Sequence, residues 1–398
     1  MSIKVLLAPH RYVQGPNVLA EIADHLEVFG IRNPLILADP NALRAIQGSL
    51  TKSLEGKGME YAFAEFQGEC TWREIYRVRD LCMQGRHDAI ISCGGGKTMD
   101  TGRAAATGKA VNAGVVPPEI IEKVGANVPC IQVPTIASTD APTARACLVY
   151  NEEGVFQTVI IAPSNPLMVL ADTRIIAEAP VRTLVAGMGD ALSTYFEASI
   201  CHRTVSEAHS GGLATRAALM MGRLAFDILM EYGLQARVEN ENGIAGPALE
   251  AVVEANILLS GLGYESGGLS AAHAIAESLT IIHDCFDPPP LHGEVVAFGT
   301  LALLVMEERN REFLEPIIEF CRSVGLPTTF EEMGLKNPTD DDLSIVADAT
   351  AKDPLMRSMP KASKVPNAEM RFYDPSEIFN CLKAADAYGR AYKAIHTR

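Results

Sequence analysis

The first half of the chain alternates short apolar runs with longer segments in which apolar residues recur at helical spacing. The apolar runs, which favour strands, lie at residues 34–39, 59–66 and 88–92. The segments between them, which favour helices, lie at residues 41–55 and 71–84 and begin again near Lys97. Strands separated by helices of this length form βαβ units, so the pattern predicts a parallel sheet covered by helices on both faces.

Two further β-rich runs, ACLVY and FQTVIIA, lie between Arg145 and Ala162. They are joined by residues 151–154, whose Asn and Gly favour a tight turn. We therefore expect a β-hairpin at the edge of the sheet.

After Pro180 the pattern changes to long segments rich in Ala, Leu and Glu, with few strand signals. The segments that predict helices cover residues 182–199, 206–231, 248–262, 271–280, 294–308, 312–324 and 375–393. The second half is therefore predicted to be all-α, which divides the chain into an α/β domain, 1–175, and a helical domain, 176–398. Residues 110–127 and 353–374 follow neither pattern, and we expect extended loops there.

Length and charge narrow the class of protein. The chain has 398 residues, enough for two domains with full cores, and 34 basic against 49 acidic residues give a net charge of −15. This excess of acid argues against nucleic acids and membrane surfaces as partners. The first residues reach Pro, His and Arg too early for a signal peptide, so we expect a cytoplasmic protein. The nine cysteines are widely spaced and form no CxxC, which predicts buried thiols rather than disulfides.

Three consecutive glycines, Gly94, Gly95 and Gly96, follow the predicted strand at 88–92 and precede a helix that contains Lys97. Glycine lets a backbone approach a pyrophosphate closely, and the N–H groups at a helix N-terminus bind anions. The sequence therefore predicts a dinucleotide-binding turn. The alternative is a glycine turn that serves packing alone.

Polar residues follow two other predicted strands. Asp39 ends the strand at 34–39, where an acidic residue commonly binds the ribose hydroxyls of NAD and repels the 2′-phosphate of NADP. It is equally placed to cap the helix at 41–55. Thr135, Ser138 and Asp140 follow the apolar run that ends at Val133, which is either a ligand-binding edge or simple turn chemistry.

The helical half contains a small set of candidate metal ligands. Asp190 lies near a predicted helix start, His273 in a helical stretch of small residues, and His292 before an apolar helix. Two imidazoles and one carboxylate suit Zn²⁺ and leave a coordination position open for substrate. His283 remains an alternative to His292, and each histidine alone is more often structural.

Five motifs give this sequence a family resemblance: GGGKTMD, VPTIASTDAPT, AGMGDALSTYFEA, ESGGLSAAHA and HGEVVAFGT. In this order and at these separations they resemble the NAD-dependent glycerol dehydrogenases of the iron-containing alcohol dehydrogenase superfamily. The resemblance covers nearly the whole chain. It implies a dehydroquinate synthase-like fold, in which an α/β dinucleotide-binding domain with a parallel sheet precedes an all-α domain and the active site lies in the cleft between them.

The resemblance also implies roles for individual residues. Catalytic zinc would be bound by Asp190, His273 and His292, and Asp140 would contact the polyol substrate. The residues implied to contact NAD are Asp39, Gly96, Lys97, Asp100, Thr135, Ser138 and Tyr150. Iron-dependent relatives have a histidine four residues after the aspartate ligand, where this chain has Thr194, which favours zinc. The family forms ring-like homo-oligomers, so we expect an octamer or a similar assembly.

The implied reaction is hydride transfer from glycerol or a related vicinal diol to NAD, which converts glycerol to dihydroxyacetone. Alternatives are a dehydrogenase for a 2-hydroxycarboxylate or another small alcohol, a lyase of the dehydroquinate synthase kind, and a catalytically silent binding protein. Arg145 favours an anionic substrate, because the family has a small apolar residue there. If its side chain instead points outward, we expect it to pair with Glu152 or Glu153.

Overall fold

The computed structural model describes residues 3–108, 110–112, 124–359 and 372–396. The predicted loops at 110–127 and 353–374 lie partly outside these residues. The chain divides into two compact units, an α/β unit (Leu7–Pro180 and Glu239–Val253) and a helical unit (Met1–Leu6, Val181–Val238 and Glu254–Arg398). The predicted domains, 1–175 and 176–398, are each continuous in sequence, whereas both units combine separate stretches.

The α/β unit contains a six-stranded sheet and a three-stranded sheet. Its described strands are β1 (Arg11–Gly15), β2 (Pro34–Ala38), β3 (Ala62–Glu65), β4 (Ala89–Gly94), β5 (Val111–Asn112), β6 (Cys130–Pro134), β7 (Ala146–Tyr150), β8 (Phe156–Ile161) and β9 (Met168–Asp172). Its first helices are α1 (Ile22–Val28), α2 (Pro40–Gly56), α3 (Trp72–Gln84), α4 (Gly96–Ala106) and α5 (Thr173–Ala177). The larger sheet has the order β1-β9-β6-β4-β2-β3 with every pair parallel, which confirms the predicted parallel sheet.

The strands of the larger sheet are apolar throughout because helices cover both faces. In β2, Ile36 packs into the core on one face, together with buried residues of α2 that include Ile46 and Leu50. Leu35 packs into the core on the other face, beside Ile75 of α3. This alternation explains why a strand of five residues is buried at every position.

The order of the strands creates a binding edge. From β2 the chain continues to β3 on one side of β2, and β4 then pairs with β2 on its other side. The connections that leave the carboxyl ends of β2 and β4 therefore diverge, and ligands of doubly wound sheets bind at such a switch point. Asp39 and the three-glycine turn begin there.

The predicted hairpin forms, but its predicted place is wrong. Strands β7 and β8 pair antiparallel and join β5 in the three-stranded sheet instead of extending the edge of the larger sheet. The reason is a pair of buried polar contacts between α4 and β7: Asp100 accepts a hydrogen bond from the backbone N–H of Leu148, and Arg103 donates to the carbonyl of Ala146. These contacts hold the hairpin to α4.

The helical unit confirms the predicted all-α architecture. The helices that follow α5 along the chain are α6 (Val181–Thr204), α7 (Arg216–Glu241), α8 (Pro247–Glu254), α9 (Ser260–Gly267), α10 (Ala271–Leu279), α11 (His292–Met306), α12 (Arg311–Val324), α13 (Asp340–Lys352) and α14 (Pro375–His396). A π-helical turn, Ala255–Leu259, separates α8 from α9. Most of α8 belongs to the α/β unit, where Glu250 accepts hydrogen bonds from Gln14 and Thr173.

All nine cysteines are free thiols, and seven of them are buried. Among the described residues, no helix combines the length and apolar character that crossing a membrane requires.

Candidate active site

Asp190 and His292 come together because two helices of the helical unit touch through glycine. A Cβ atom on Gly189 of α6 would lie 2.2 Å from the carbonyl oxygen of Gly293 on α11. A Cβ atom on Gly293 would lie 1.8 Å from the carbonyl oxygen of Ala186. No larger residue fits at either position, so the two backbones pack in direct contact. Asp190 follows one glycine and His292 precedes the other.

The three predicted ligands form one compact group. The distance from Nε2 of His273 to Oδ1 of Asp190 is 3.4 Å, and that from Nε2 of His292 to the same oxygen is 3.6 Å. The three ligand atoms lie within 4.8 Å of one another. Ligands of a tetrahedral zinc ion are spaced by about 3.3 Å, as follows from bonds of about 2.0 Å. The donor set and its spacing therefore fit a single metal ion.

The alternative ligand His283 lies elsewhere. Its side chain is 67% exposed, and its Nε2 is 3.2 Å from Oδ1 of Asp284. In the described part of the chain, the group formed by Asp190, His273 and His292 is the one set of three such side chains with metal-binding spacing.

A buried carboxylate, Glu197, contacts the site from the far side of His273. Its Oε2 is 2.6 Å from Nδ1 of His273, and its Oε1 accepts hydrogen bonds from the backbone N–H groups of Ser270 and His273, at 2.8 and 3.1 Å. Sequence reasoning missed this residue. One signal could have found it: Glu197 lies seven residues after Asp190, so two turns of α6 place both carboxylates on the same face.

The two histidines have opposite electrostatic environments. Burial opposes a positive charge on His273, but the attraction of Glu197 and hydrogen bonds to Asp190 and Glu197 outweigh it, so the pKa of His273 is raised well above its ordinary value. For His292, the cost of removing the charged ring from water dominates, and its pKa is lowered. His292 is therefore neutral near pH 7, the form in which imidazole binds metal ions.

Thr194 occupies the place one helical turn after Asp190 where iron-dependent relatives have a histidine. Its Oγ1 is 2.9 Å from Oγ of Ser260, and both residues are fully buried. A Cβ atom on Gly263 would lie 2.6 Å from Cγ2 of Thr194, so the neighbouring helix packs tightly here. A hydroxyl pair fills this position, and the donor set stays at three.

Asp39, in the α/β unit, performs the capping role that the sequence left open. Its Oδ1 accepts hydrogen bonds from the backbone N–H groups of Asn41 and Ala42, at 2.9 and 3.0 Å, and so caps α2. Its other carboxylate oxygen faces the glycine turn, since a Cβ atom on Gly94 would lie 2.7 Å from it. The carboxylate therefore lies at the switch point of the sheet.

The glycine turn has the form expected of a phosphate-binding turn. Gly95 is the N-cap of α4 and supplies no capping side chain, so side chains leave the first N–H groups of the helix uncapped. A Cβ atom on Gly95 would lie 2.9 Å from the side chain of Ile136. The backbone N–H of Thr135 donates to the carbonyl of Gly94 at 3.1 Å, which joins the ends of β4 and β6. This backbone arrangement fits a pyrophosphate.

Other predicted cofactor residues lie around this turn. Nζ of Lys97 is 2.5 Å from Oε2 of Glu69 and 5.9 Å from the centre of the Tyr150 ring, so the structure brings Lys97 and Tyr150 together. Ser138 and Asp140 lie on the half-buried loop that follows β6.

Asp100 lies in a different environment, because both of its oxygens already have protein partners. Oδ1 is 2.9 Å from Nη1 of Arg103, and Oδ2 accepts from the backbone N–H of Leu148 at 3.1 Å. Burial raises its pKa to about 6, although Arg103 opposes the shift. These contacts give Asp100 a structural role, and its contact with a cofactor stays a prediction.

The outward orientation considered for Arg145 is wrong. The residue is 8% exposed, and Glu152 instead forms an ion pair with Arg73, at 2.6 Å. The guanidinium is thus enclosed near the loop that carries Asp140.

Comparison with known proteins gives consistent matches. The family model described as iron-containing alcohol dehydrogenase matches residues 9–173. The chain is 37% identical over 390 residues to a glycerol dehydrogenase of Escherichia coli, with 98% of each chain covered. It is 34% identical over 386 residues to a glycolaldehyde reductase of Halobacterium salinarum, with 97% of this chain and 98% of the relative covered.

The fold agrees with a solved structure as well. The crystal structure of glycerol dehydrogenase from Schizosaccharomyces pombe matches with a TM-score of 0.89 at 34% identity, and the match covers 100% of this chain and 94% of the other. These relatives extend over essentially the whole chain, so the likeness includes both units.

Proposed function

Because this chain belongs to the family of iron-containing alcohol dehydrogenases and is an alcohol or polyol dehydrogenase, we propose that it oxidises glycerol or a related vicinal diol with NAD, giving dihydroxyacetone from glycerol. The observation that carries this proposal is the three-ligand group of Asp190, His273 and His292 in a chain so similar to glycerol dehydrogenases. The lyase and the silent binding protein are set aside by the same membership.

The metal of this site is zinc in our proposal. Two imidazoles and one carboxylate are typical zinc ligands, and three protein ligands are typical of catalytic zinc sites. The hydroxyl pair of Thr194 and Ser260 keeps a fourth protein ligand away. When bound, zinc supplies a Lewis acid that makes a nearby substrate hydroxyl more acidic.

The residues of the chain prepare the site for this chemistry. The lowered pKa of His292 keeps its ring neutral and its Nε2 lone pair free to coordinate. The glycine contact between α6 and α11 fixes the position of His292 relative to Asp190. The contact of Asp140 with the polyol, which the resemblance implies, completes the proposed assignments.

NAD is the proposed hydride acceptor, and its nicotinamide ring supplies the redox chemistry when bound. Gly94, Gly95 and Gly96 fit the pyrophosphate, and Asp39 lies where the adenine-side ribose hydroxyls would bind. The negative charge of Asp39 repels a 2′-phosphate, which favours NAD over NADP. Lys97, Thr135, Ser138 and Tyr150 would complete the cofactor site.

The test is an assay of NAD reduction over a panel of glycerol, other vicinal diols, primary alcohols and 2-hydroxy acids. We expect the highest kcat/KM with glycerol or another vicinal diol. We also expect about one zinc per purified chain, and loss of activity on chelation that added zinc restores. Full activity in protein shown to be metal-free contradicts the metal assignment, and a clear preference for simple primary alcohols contradicts the proposed substrate.

A second candidate is a small substrate other than a diol, and the enclosed Arg145 favours an anion. A guanidinium that meets a carboxylate forms charge-assisted hydrogen bonds worth about 1.5–3 kcal/mol, or about a 10–150-fold preference. Under this alternative, R145A lowers the ratio of kcat/KM for a small 2-hydroxy acid to that for glycerol. The control is R73A, which removes an exposed arginine beside the same hairpin. An unchanged ratio in R145A leaves the diol as the substrate.

The cytoplasmic location and the homo-oligomer that the resemblance implies stay predictions. Analytical ultracentrifugation of the purified protein tests the second of them, with a single species of about eight chains as the expected result.

A further inference from the structure

We propose that Glu197 is the positioning residue of the metal centre: it holds the ring and the backbone of His273 so that Nε2 faces the metal position. This inference rests on the proposed function, because it assumes that His273 binds a metal ion. It extends that function by assigning a task to a residue that is not itself in the ligand group.

The first part of the evidence is the contact with the imidazole ring. Oε2 of Glu197 is 2.6 Å from Nδ1 of His273, the length of a strong charge-assisted hydrogen bond. An ionised carboxylate only accepts hydrogen bonds, so Nδ1 must carry the proton and donate it. When the ring is neutral, this leaves the lone pair on Nε2, the nitrogen that lies 3.4 Å from Asp190. Carboxylates fix the tautomer of metal-binding histidines in this way.

The second part is the contact with the backbone. Helix α10 begins after Ser270, the N-cap, which makes no capping hydrogen bond with its own side chain. Oε1 of Glu197 accepts from the backbone N–H groups of Ser270 and His273 instead. One side chain from α6 therefore caps the start of α10 and sets where the backbone of His273 lies.

The third part is burial. Glu197 is fully buried, and taking a carboxylate out of water is costly unless its oxygens are well paired. Its described hydrogen bonds all go to the first residues of α10. Capping alone would be served by a side chain of Ser270, so the buried charge points to the imidazole as the group that requires it. Because α6 also carries Asp190, one rigid helix supplies a ligand and orients another.

The variant that separates these parts is E197Q, which keeps the size of the side chain. Its single amide oxygen can serve either the two backbone N–H groups or the ring. If the oxygen caps the helix, the NH₂ group faces Nδ1, which must then accept a hydrogen bond, and the ring proton moves to Nε2. If the amide rotates, two backbone N–H donors face an NH₂ group. Either arrangement opposes metal binding by His273.

The matched control is E277Q. Glu277 lies on α10 one turn after His273, and its carboxyl group interacts with Asp353 rather than with the ring. E277Q therefore removes a negative charge near His273 without removing a hydrogen bond to it. A purely electrostatic effect on metal binding would affect both variants, whereas positioning would affect E197Q alone.

The experiment measures zinc affinity of the metal-free full chain by competition with a chromophoric chelator, together with the thermal midpoint and NAD affinity of the same samples. We expect E197Q to weaken zinc binding by about 10–100-fold, with NAD affinity within twofold of the original protein. The carboxylate variant E197D should bind zinc more tightly than E197Q, and its comparison with E277Q decides the question if E197Q does not fold.

Three results would overturn the proposal: zinc affinity of E197Q within twofold of the original protein, an equal loss in E277Q, or, if E197Q does not fold, zinc affinity of E197D equal to that of E277Q. Failure of the proposed function has a different signature. An original protein that binds no zinc, or whose metal-free form reduces NAD at the full rate, contradicts the metal site itself and this inference with it.

Discussion

The glycine turn of the α/β unit and the metal centre of the helical unit are built in different ways. The turn binds through backbone: Gly94, Gly95 and the start of α4 are consecutive in sequence, and their chemistry follows from the absence of side chains. The metal centre binds through side chains, and α6, α10 and α11 each supply one ligand. A local site can therefore be inferred from one motif, whereas a dispersed site depends on how helices pack.

The largest effect is expected from the dispersed site. Replacing His273 with alanine removes one of three ligands, so H273A should hold little zinc and lose about 10³-fold or more in kcat/KM, equivalent to about 4 kcal/mol of transition-state stabilisation. NAD affinity should stay within twofold, because the glycine turn is separate in sequence. The matched control is H283A, an exposed histidine outside the group, which should keep full zinc content and activity. Full zinc content in H273A would show that His273 is not a ligand.

The comparison also explains what the sequence alone could predict. Hydrophobic periodicity was enough for the strands at 34–39 and 88–92 and for most helices of the second half, because their periods differ. It failed for the place of the hairpin, since the contacts of Asp100 and Arg103 that hold β7 to α4 join segments distant in sequence. It also gave no strand for residues 11–15, which pair with β9 near the other end of the unit.

The candidate site divides along the same line. The glycine turn and Asp39 were predicted from local motifs, although Asp39 proved to cap α2 as well. The choice between His283 and His292 stayed open because composition does not contain the contact of Gly189 with Gly293. Glu197 was missed for the same reason, since its partners lie on another helix.

The glycine contact offers the next largest effect. In G293A the new Cβ atom would meet the carbonyl oxygen of Ala186, a backbone atom that has little freedom to move. We expect the free energy of unfolding to fall by about 3 kcal/mol, with weaker zinc binding as α11 shifts. The control is G48A in α2, where a Cβ atom meets nothing within 4 Å and helix propensity predicts a gain of up to about 1 kcal/mol. Chemical denaturation measures both, and an unchanged stability in G293A would refute the close contact.

A smaller effect is expected at the local site. Asparagine at position 39 keeps the capping oxygen but removes the charge, so D39N separates the two roles of this residue. We expect the ratio of kcat/KM for NAD to that for NADP to fall by about tenfold, with little change in the thermal midpoint. If the ratio stays constant while stability falls, capping is the only role of Asp39.

The smallest effect is expected beside the metal centre. T194V removes a hydroxyl and leaves Ser260 without its buried partner, which should lower the free energy of unfolding by about 1–2 kcal/mol. Zinc content should remain at about one per chain, because Thr194 is not among the three ligands. Loss of zinc in a stable T194V protein would make this hydroxyl a ligand.

The central claim is that three helices of this chain together hold one zinc ion. Its most direct test is a crystal structure of the zinc-loaded protein with anomalous data on both sides of the zinc absorption edge. We predict one anomalous peak per chain, at about 2.0–2.2 Å from Oδ1 or Oδ2 of Asp190 and from Nε2 of His273 and His292. A zinc peak at another set of residues, or no peak among these three in fully active crystals, would contradict the account.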